Sequence, residues 1–229
     1  MTRISILETG APPPALRAAH GDYPAMFRTL LGQGFEVETF DVQDGQWPDA
    51  AAFDGAIITG SSAGVYEDAP WIAELLDWIR AAYGQTKLVG ICFGHQAMAQ
   101  ALGGRVEKSD RGWGIGLHRY AVMSSEPWMT PDASEVAIPV SHQDQVVALP
   151  AGARVILSSA FTPFAGLAWG DDAVSLQCHP EFSPAYASDL AAGRRGRIDP
   201  ELVDEAVESL SAPNDRDCVG GWLRAFLSA

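Results

Sequence analysis

The stretch "LVGICFGHQAMAQALGG", Leu88 to Gly104, passes from an apolar run into an alanine-rich one, with a cysteine between two glycines where the character changes. A short apolar run followed by a helix-forming run reads as a buried strand feeding a helix. Gly90 and Gly94, each two positions from Cys92, let such a strand-to-helix turn close, and the side chain at its apex stands exposed at the carboxyl end of the strand. There the helix dipole and free N–H groups favour a thiolate. Taken alone, the pattern also fits a small buried cysteine ending a core strand.

Upstream, "RISILETG" and "FDGAIITG" are further apolar runs ending in glycine, and with "KLVGIC" they read as buried strands of a parallel sheet. Between them, "PWIAELLDWIRAAY" places Ile72, Leu75, Leu76, Ile79 and Ala82 on one helical face and Glu74, Asp77 and Arg80 on the other, with Pro70 in the first turn. Alternating strands and helices imply right-handed crossovers with helices on both faces of the sheet. From Arg105 to Phe182 short β-like runs follow one another, as a meander with returning strands added to the same sheet. Beyond Pro184 the chain turns helical, interrupted at "AAGRRGRIDPE". "GAPPPALRAAHGDYP" is the most loop-like stretch, its prolines opposing regular structure early in it. A single domain, residues 1–229 with a helical C-terminal segment at about 184–229, is expected.

The net charge of −14 excludes a phosphate-rich partner as the main one, since nucleic acid and anionic membranes demand clustered Lys and Arg. Three cysteines without a CxxC pair point to neither a disulfide framework nor a zinc ribbon, and no apolar run approaches a membrane span. A cytoplasmic protein is the expectation. The histidines show no metal-ligand spacing, and no metal is expected.

A base for Cys92 is offered by "SLQCHPEF". His179 follows an apparent strand, with Glu181 two residues on, where side chains of an extended segment share a side, and Pro180 holds the backbone extended at His179. An imidazole can take the thiol proton, and a carboxylate on its second nitrogen fixes tautomer and orientation. His-x-Glu alone also fits a strand end with a solvated glutamate, but paired with the elbow it favours chemistry.

"GICFGHQ" followed much later by "HPEF" resembles the class I, triad-type glutamine amidotransferase domain. "ITGSSAGVYEDAPWI" is similar to the family's glycine-rich oxyanion loop, and "GWGIG" and "SHQDQV" recur in the branch related to the GMP synthase amidotransferase domain and the γ-glutamyl peptidases. The resemblance implies a flavodoxin-like three-layer α/β/α sandwich with a mostly parallel central sheet. It implies Cys92 as nucleophile, His179 as general base then acid and Glu181 as orienting carboxylate, with an oxyanion held by backbone N–H groups of Phe93 and the Gly60-Ser61 loop. It further implies that Gln96 and the backbone around Trp113 and Gly114 hold the substrate, with His142 and Asp144 shaping the site. Where relatives often carry two glycines, this chain has Gly60-Ser61. A backbone donor survives, but a positive φ at Ser61 would be strained.

Nothing follows the triad except helix, and no Walker-type phosphate loop appears. The implied activity is therefore cofactor-free hydrolysis of a small-molecule γ-glutamyl amide, either glutamine or a conjugate, through a γ-glutamyl thioester. The alternatives are a glutaminase subunit feeding ammonia to a synthetase partner chain, a catalytically idle binding protein, and a cysteine-nucleophile α/β-hydrolase with Asp171 or Asp172 as the acid. Trp71, Trp78, Cys178 and Cys218 read as packing residues. Arg194, Arg195 and Arg197 read as a solvated cluster or a mobile arm reaching a substrate.

Overall fold

The computed structural model describes all residues, 1–229. Strand β1 (Thr2–Glu8) leads to helices α1 (Pro14–His20) and α2 (Tyr23–Leu31), then β2 (Phe35–Asp41), β3 (Gly55–Ile58), α3 (Pro70–Ala82), β4 (Lys87–Ile91) and α4 (Phe93–Ala101). The second half runs through β5 (Arg105–Lys108), β6 (Gly114–Val122), β7 (Glu135–His142), β8 (Asp144–Ala148), β9 (Arg154–Ser158), β10 (Gly166–Trp169) and β11 (Ala173–Leu176). It ends with α5 (Pro184–Ala192), α6 (Pro200–Ser209) and α7 (Arg216–Ser228).

Nine strands form one sheet in the order β2-β1-β3-β4-β11-β10-β9-β6-β7. The strands from β2 to β11 are parallel to one another, and the remaining four extend the sheet antiparallel. This is the expected α/β/α sandwich, because the period-two alternation of each central strand feeds two separate cores. Ile4, Ile6, Ile57, Val89 and Ile91 face one core with Phe27 and Leu31 of α2 and Trp222 and Phe226 of α7. Leu7, Ala56, Ile58 and Leu88 face the other with Ile72, Leu75 and Ile79 of α3 and Ala97 and Met98 of α4. Cys178 is fully buried in the first core, and Trp78 donates its ring N–H to the Pro48 carbonyl, as packing residues do.

Two departures from the sequence reading bear on the site. The stretch "GAPPPALRAAHGDYP" is irregular only at its start, since α1 begins at Pro14, where proline's fixed φ suits a first helical turn and its missing N–H costs nothing. Strands β5 and β8 leave the main sheet and pair only with each other. Their apolar members Val106 and Val146 join the core beside α4, while Lys108 and Asp144, paired at the end of the ribbon, line a cavity beside Cys92. No helix is long and apolar enough to cross a membrane.

The elbow glycines answer to steric demand. A Cβ on Gly94 would lie 2.3 Å from the Ile58 carbonyl oxygen, and one on Gly90 would lie 2.5 Å from the Met98 sulfur and 2.6 Å from the Gly94 carbonyl oxygen. Gly94→Ala therefore forces α4 away from β3 and should destabilise the protein by about 3 kcal/mol or more. Gly196→Ala, where a Cβ meets nothing within 4 Å, should stay within about 0.5 kcal/mol of wild type, both variants being compared with wild type by urea titration.

Candidate active site

The carboxyl ends of β1, β3, β4 and β11 converge on one crevice, the place where open α/β sheets bind ligands. Cys92 sits between β4 and α4 with φ 54° and ψ −101°, and it is the one non-glycine residue of the chain with positive φ. The conformation is fixed from both flanks. The Cys92 N–H donates to Leu176 of β11 at 2.8 Å and the Gly94 N–H to Thr59 after β3 at 3.1 Å, while the Cys92 carbonyl accepts from Gln96 at 3.0 Å.

His179 is brought opposite Cys92 by a turn. Strand β11 ends at Leu176, three residues short of the histidine, and Phe182 N–H closes back onto the His179 carbonyl at 3.3 Å. The proximity of His179 and Glu181 thus comes from that turn, not from the alternation of an extended strand. Nδ1 of His179 and Oε1 of Glu181 lie 2.6 Å apart, with both side chains almost wholly buried. That contact leaves the second ring nitrogen free on the side of the cavity that His179 and Cys92 both line. Phe182 stacks on the imidazole at 3.8 Å between centroids and 8° between planes, and Arg216 of α7 donates to the Pro180 carbonyl at 3.0 Å. Neither Phe182 nor Arg216 was singled out from sequence; stacking and distant tethering leave no local pattern. Asp171 and Asp172 lie at the opposite, amino end of β11, beside the chain termini, so the acid of an α/β-hydrolase arrangement is not at the site.

Burial alone would push the His179 imidazole toward its neutral form, but the Glu181 carboxylate and Cys92 outweigh it and raise its pKa to about 10. The arrangement favours an imidazolium beside Cys92. With its folded value above the ordinary imidazole value of 6.5, His179 contributes stability that is fully present below about 6.5 and is lost as pH rises through about 10.

The Gly60-Ser61 loop is held by β1. The Thr9 hydroxyl lies within hydrogen-bond reach of the Thr59 and Gly60 carbonyls, at 3.0 and 3.1 Å. With the Gly60 carbonyl so occupied, the trans peptide directs the Ser61 N–H to the other side, and neither the Gly60 nor the Ser61 N–H has a protein acceptor. Phe93, first residue of α4, has no intrahelical acceptor for its own N–H. A Cβ on Gly60 would crowd the imidazole, coming 3.2 Å from His179 Cε1. Neither Gly60 nor Ser61 has positive φ, so the serine introduces none of the strain anticipated for it.

Two cavities meet at Cys92. One, of about 370 Å³, is lined by Gln96, Trp113, His142 and Asp144 together with Ser61 and Lys108. The Gln96 amide nitrogen donates to the Asp144 carbonyl at 2.9 Å and to Gln177 Oε1 at 3.1 Å, leaving Oε1 as its free end. His142 is buried and its pKa lowered to about 3, by desolvation first and by His118 second, so it is a neutral ring. Gly114 stands behind the lining, where a Cβ would strike Phe161 and His142. The other cavity, of about 620 Å³, opens on the His179 side between α1 and α5. A larger hollow of about 880 Å³ lies at the far end of the sheet, away from every residue of this constellation.

The model of the family "Glutamine amidotransferase class-I" matches residues 25–189. A glutamine amidotransferase-like protein of Schizosaccharomyces pombe is 28% identical over 98% of both chains. γ-Glutamyl peptidase 4 of Arabidopsis thaliana is 32% identical over 76% of this chain and 73% of that one. Among solved structures, a glutamine amidotransferase of Thermotoga maritima superposes with a TM-score of 0.78 at 18% identity, covering 99% of this chain and 96% of its own.

If Glu181 and Cys92 hold the imidazole charged, Glu181→Gln and Cys92→Ala must each lower the His179 pKa. A ¹³C-detected imidazole titration of each variant checks this, and an unmoved value in both would contradict the charge assignment.

Proposed function

From its membership of the class I glutamine amidotransferase family, we propose that this chain, working as a single domain, is an enzyme that hydrolyses a γ-glutamyl amide at Cys92. The observation that carries the proposal is the Glu181–His179–Cys92 line at the carboxyl end of the parallel strands, with a 2.6 Å contact fixing the imidazole. The γ-glutamyl peptidases among its relatives act, by their name, on the same bond.

In the first half-reaction the Cys92 thiolate forms a bond to the γ-carbonyl carbon, and the carbonyl electron pair moves onto oxygen. The resulting oxyanion meets the N–H groups of Phe93 and the Gly60-Ser61 loop, donors of the kind whose individual loss costs about 10² to 10³ in rate. As the tetrahedral adduct collapses, the C–N bond breaks and the His179 imidazolium passes its proton to the departing nitrogen. A γ-glutamyl thioester and a free amine, or ammonia, result. In the second half-reaction neutral His179 takes a proton from water while the water oxygen adds to the thioester carbon. The C–S bond then breaks, releasing glutamate and restoring the thiolate facing an imidazolium. Glu181 keeps Nδ1 protonated throughout and opposes its charge. Gln96, Trp113, Gly114 and His142 form or back the acyl cavity, and neither half-reaction consumes a cofactor.

A glutaminase subunit would share this chemistry and be stimulated by a synthetase chain completing its oxyanion loop. Here the loop is already fastened to β1 through Thr9, which favours turnover without a partner.

The test is glutamate release by the purified protein alone from glutamine and a panel of γ-glutamyl amides. Cys92→Ala should abolish it, and persistent hydrolysis in that variant would refute the nucleophile. Glu181→Gln should lower kcat/KM by roughly 10² to 10⁴ and move the alkaline limb of the pH profile downward, because His179 loses its charge earlier. Asp172→Asn should do neither, whereas the reverse pattern would install the α/β-hydrolase assignment.

A further inference from the structure

The two cavities flanking Cys92 are not equivalent. Both reach the nucleophile, but His179 lines only the larger one, between α1 and α5. An imidazolium that protonates the departing nitrogen must face that nitrogen, so the leaving group belongs on the His179 side and the acyl group on the Gln96 side. Ammonia fills about 30 Å³, the share of one water-sized molecule, whereas this cavity measures about 620 Å³. Its walls are largely apolar: Pro12, Pro13, Leu16, Tyr23, Phe182 and Leu190. They are fixed in place, since His20 of α1 pairs with Asp189 of α5 at 2.7 Å and Tyr23 stacks on Phe182 at 5.9 Å.

The rim common to both cavities carries Arg194 and Arg197. Neither is ion-paired with a protein carboxylate, in contrast to Arg195, which is bound outward to Asp204. Arg194 turns inward. Its guanidinium lies 4.3 Å from the centre of the Trp113 ring, and its Nη1 is buried without a hydrogen-bond partner. Burial lowers its pKa, opposed by Cys92, Tyr23 and Tyr186, of which Tyr23 lines the leaving-group cavity. A half-buried, stacked fork with an unused buried donor is a site for a planar anion. Of the carboxylates on the cavity walls, Asp189 is engaged with His20 and Glu67 with the Gly64 N–H at 2.7 Å, while Asp144 lies on the acyl side, paired across the ribbon with Lys108. The acyl cavity also has a cation of its own in Lys108.

Building on the hydrolase reading, we propose that the α1–α5 cavity is the leaving-group subsite and that Arg194, assisted by Arg197, binds a carboxylate carried by that leaving group. The substrates are then γ-glutamyl derivatives of apolar amino acids or short peptides, and glutamine is a poor one.

The experiment compares γ-glutamyl-phenylalanine, γ-glutamyl-phenylalaninamide and glutamine as substrates of wild-type, Arg194→Gln and Arg194→Lys protein, with Cys92→Ala as control and circular dichroism as a check on folding. Wild type should prefer the acid over its amide by about 10- to 100-fold in kcat/KM, as expected for one charge-assisted contact. Arg194→Gln should bring that ratio close to one, chiefly through KM for the acid, and Arg194→Lys should restore part of it. A wild-type ratio near one overturns the proposal. So does an Arg194→Gln loss equal for acid, amide and glutamine, which would assign the guanidinium to the α-carboxylate of the γ-glutamyl group. Glutamine turned over as well as the acid refutes the size argument. Absence of Cys92-dependent glutamate release from every substrate would instead overturn the hydrolase reading beneath it.

Discussion

The conformation of Cys92 is the constraint from which the rest of the site follows. A non-glycine residue at φ 54° and ψ −101° costs about 1–3 kcal/mol, and such a residue persists only where its surroundings over-determine it. Here the cysteine N–H is bonded to β11 and the next turn to the end of β3, so the elbow is clamped between the strands that flank β4 in the sheet. The clamp works only because Gly94 lets α4 lie against Ile58 of β3 and Gly90 of β4 admits Met98 of α4, at distances a methyl group would forbid. In return, the sulfur stands at a helix amino terminus, in the crevice that also receives His179 and the Gly60 loop.

That constraint was written in local sequence, and this is why it could be read there. A glycine two residues to either side of a cysteine, after an apolar run and before alanines, is a steric statement confined to five positions. The alternating cores are legible for the same reason: Ile4, Ile6 and Leu7 already divide between two faces by parity. What escaped notice depends on contacts between distant segments. Thr9 reaches Thr59 and Gly60 across fifty residues, Arg216 reaches Pro180 from the last helix, and Phe182 stacks because a turn places it, none of which marks the residue concerned. The turn after β11 was misread as extended because Pro180 and the i, i+2 spacing suit either geometry. The β5–β8 ribbon was assigned to the main sheet because alternation fixes which face of a strand is buried and says nothing about its neighbour.

Electrostatically the site is a small charged enclosure in an apolar setting. Glu181 Oε1 and His179 Nδ1 are buried at 2.6 Å, while Glu181 Oε2 has no protein partner. A carboxylate so placed is tolerable only with a cation beside it, and an imidazolium is that cation. Phe182 and Tyr23 keep water from one side of the ring, so the opposing charges act on each other in a low dielectric. The histidine is held charged by its position beside Glu181 and Cys92.

The same division of labour separates chemistry from selection. The parallel strands and the turn after β11 bring Cys92 and His179 into one crevice, whereas the walls of the larger cavity come from α1, with its preceding prolines, and from α5 with the turns beyond it. Those segments lie outside the sheet, so their composition can change without disturbing the elbow. The chain carries a net charge of −14, which opposes anionic ligands at long range, yet Lys108, Arg194 and Arg197 concentrate positive charge within the two cavities. At the Debye length of about 8 Å in physiological salt, the distant carboxylates are largely screened and the nearby guanidinium is not. Recognition of an anionic substrate is therefore decided at the rim of the site, by a cation that acidity elsewhere makes the exception.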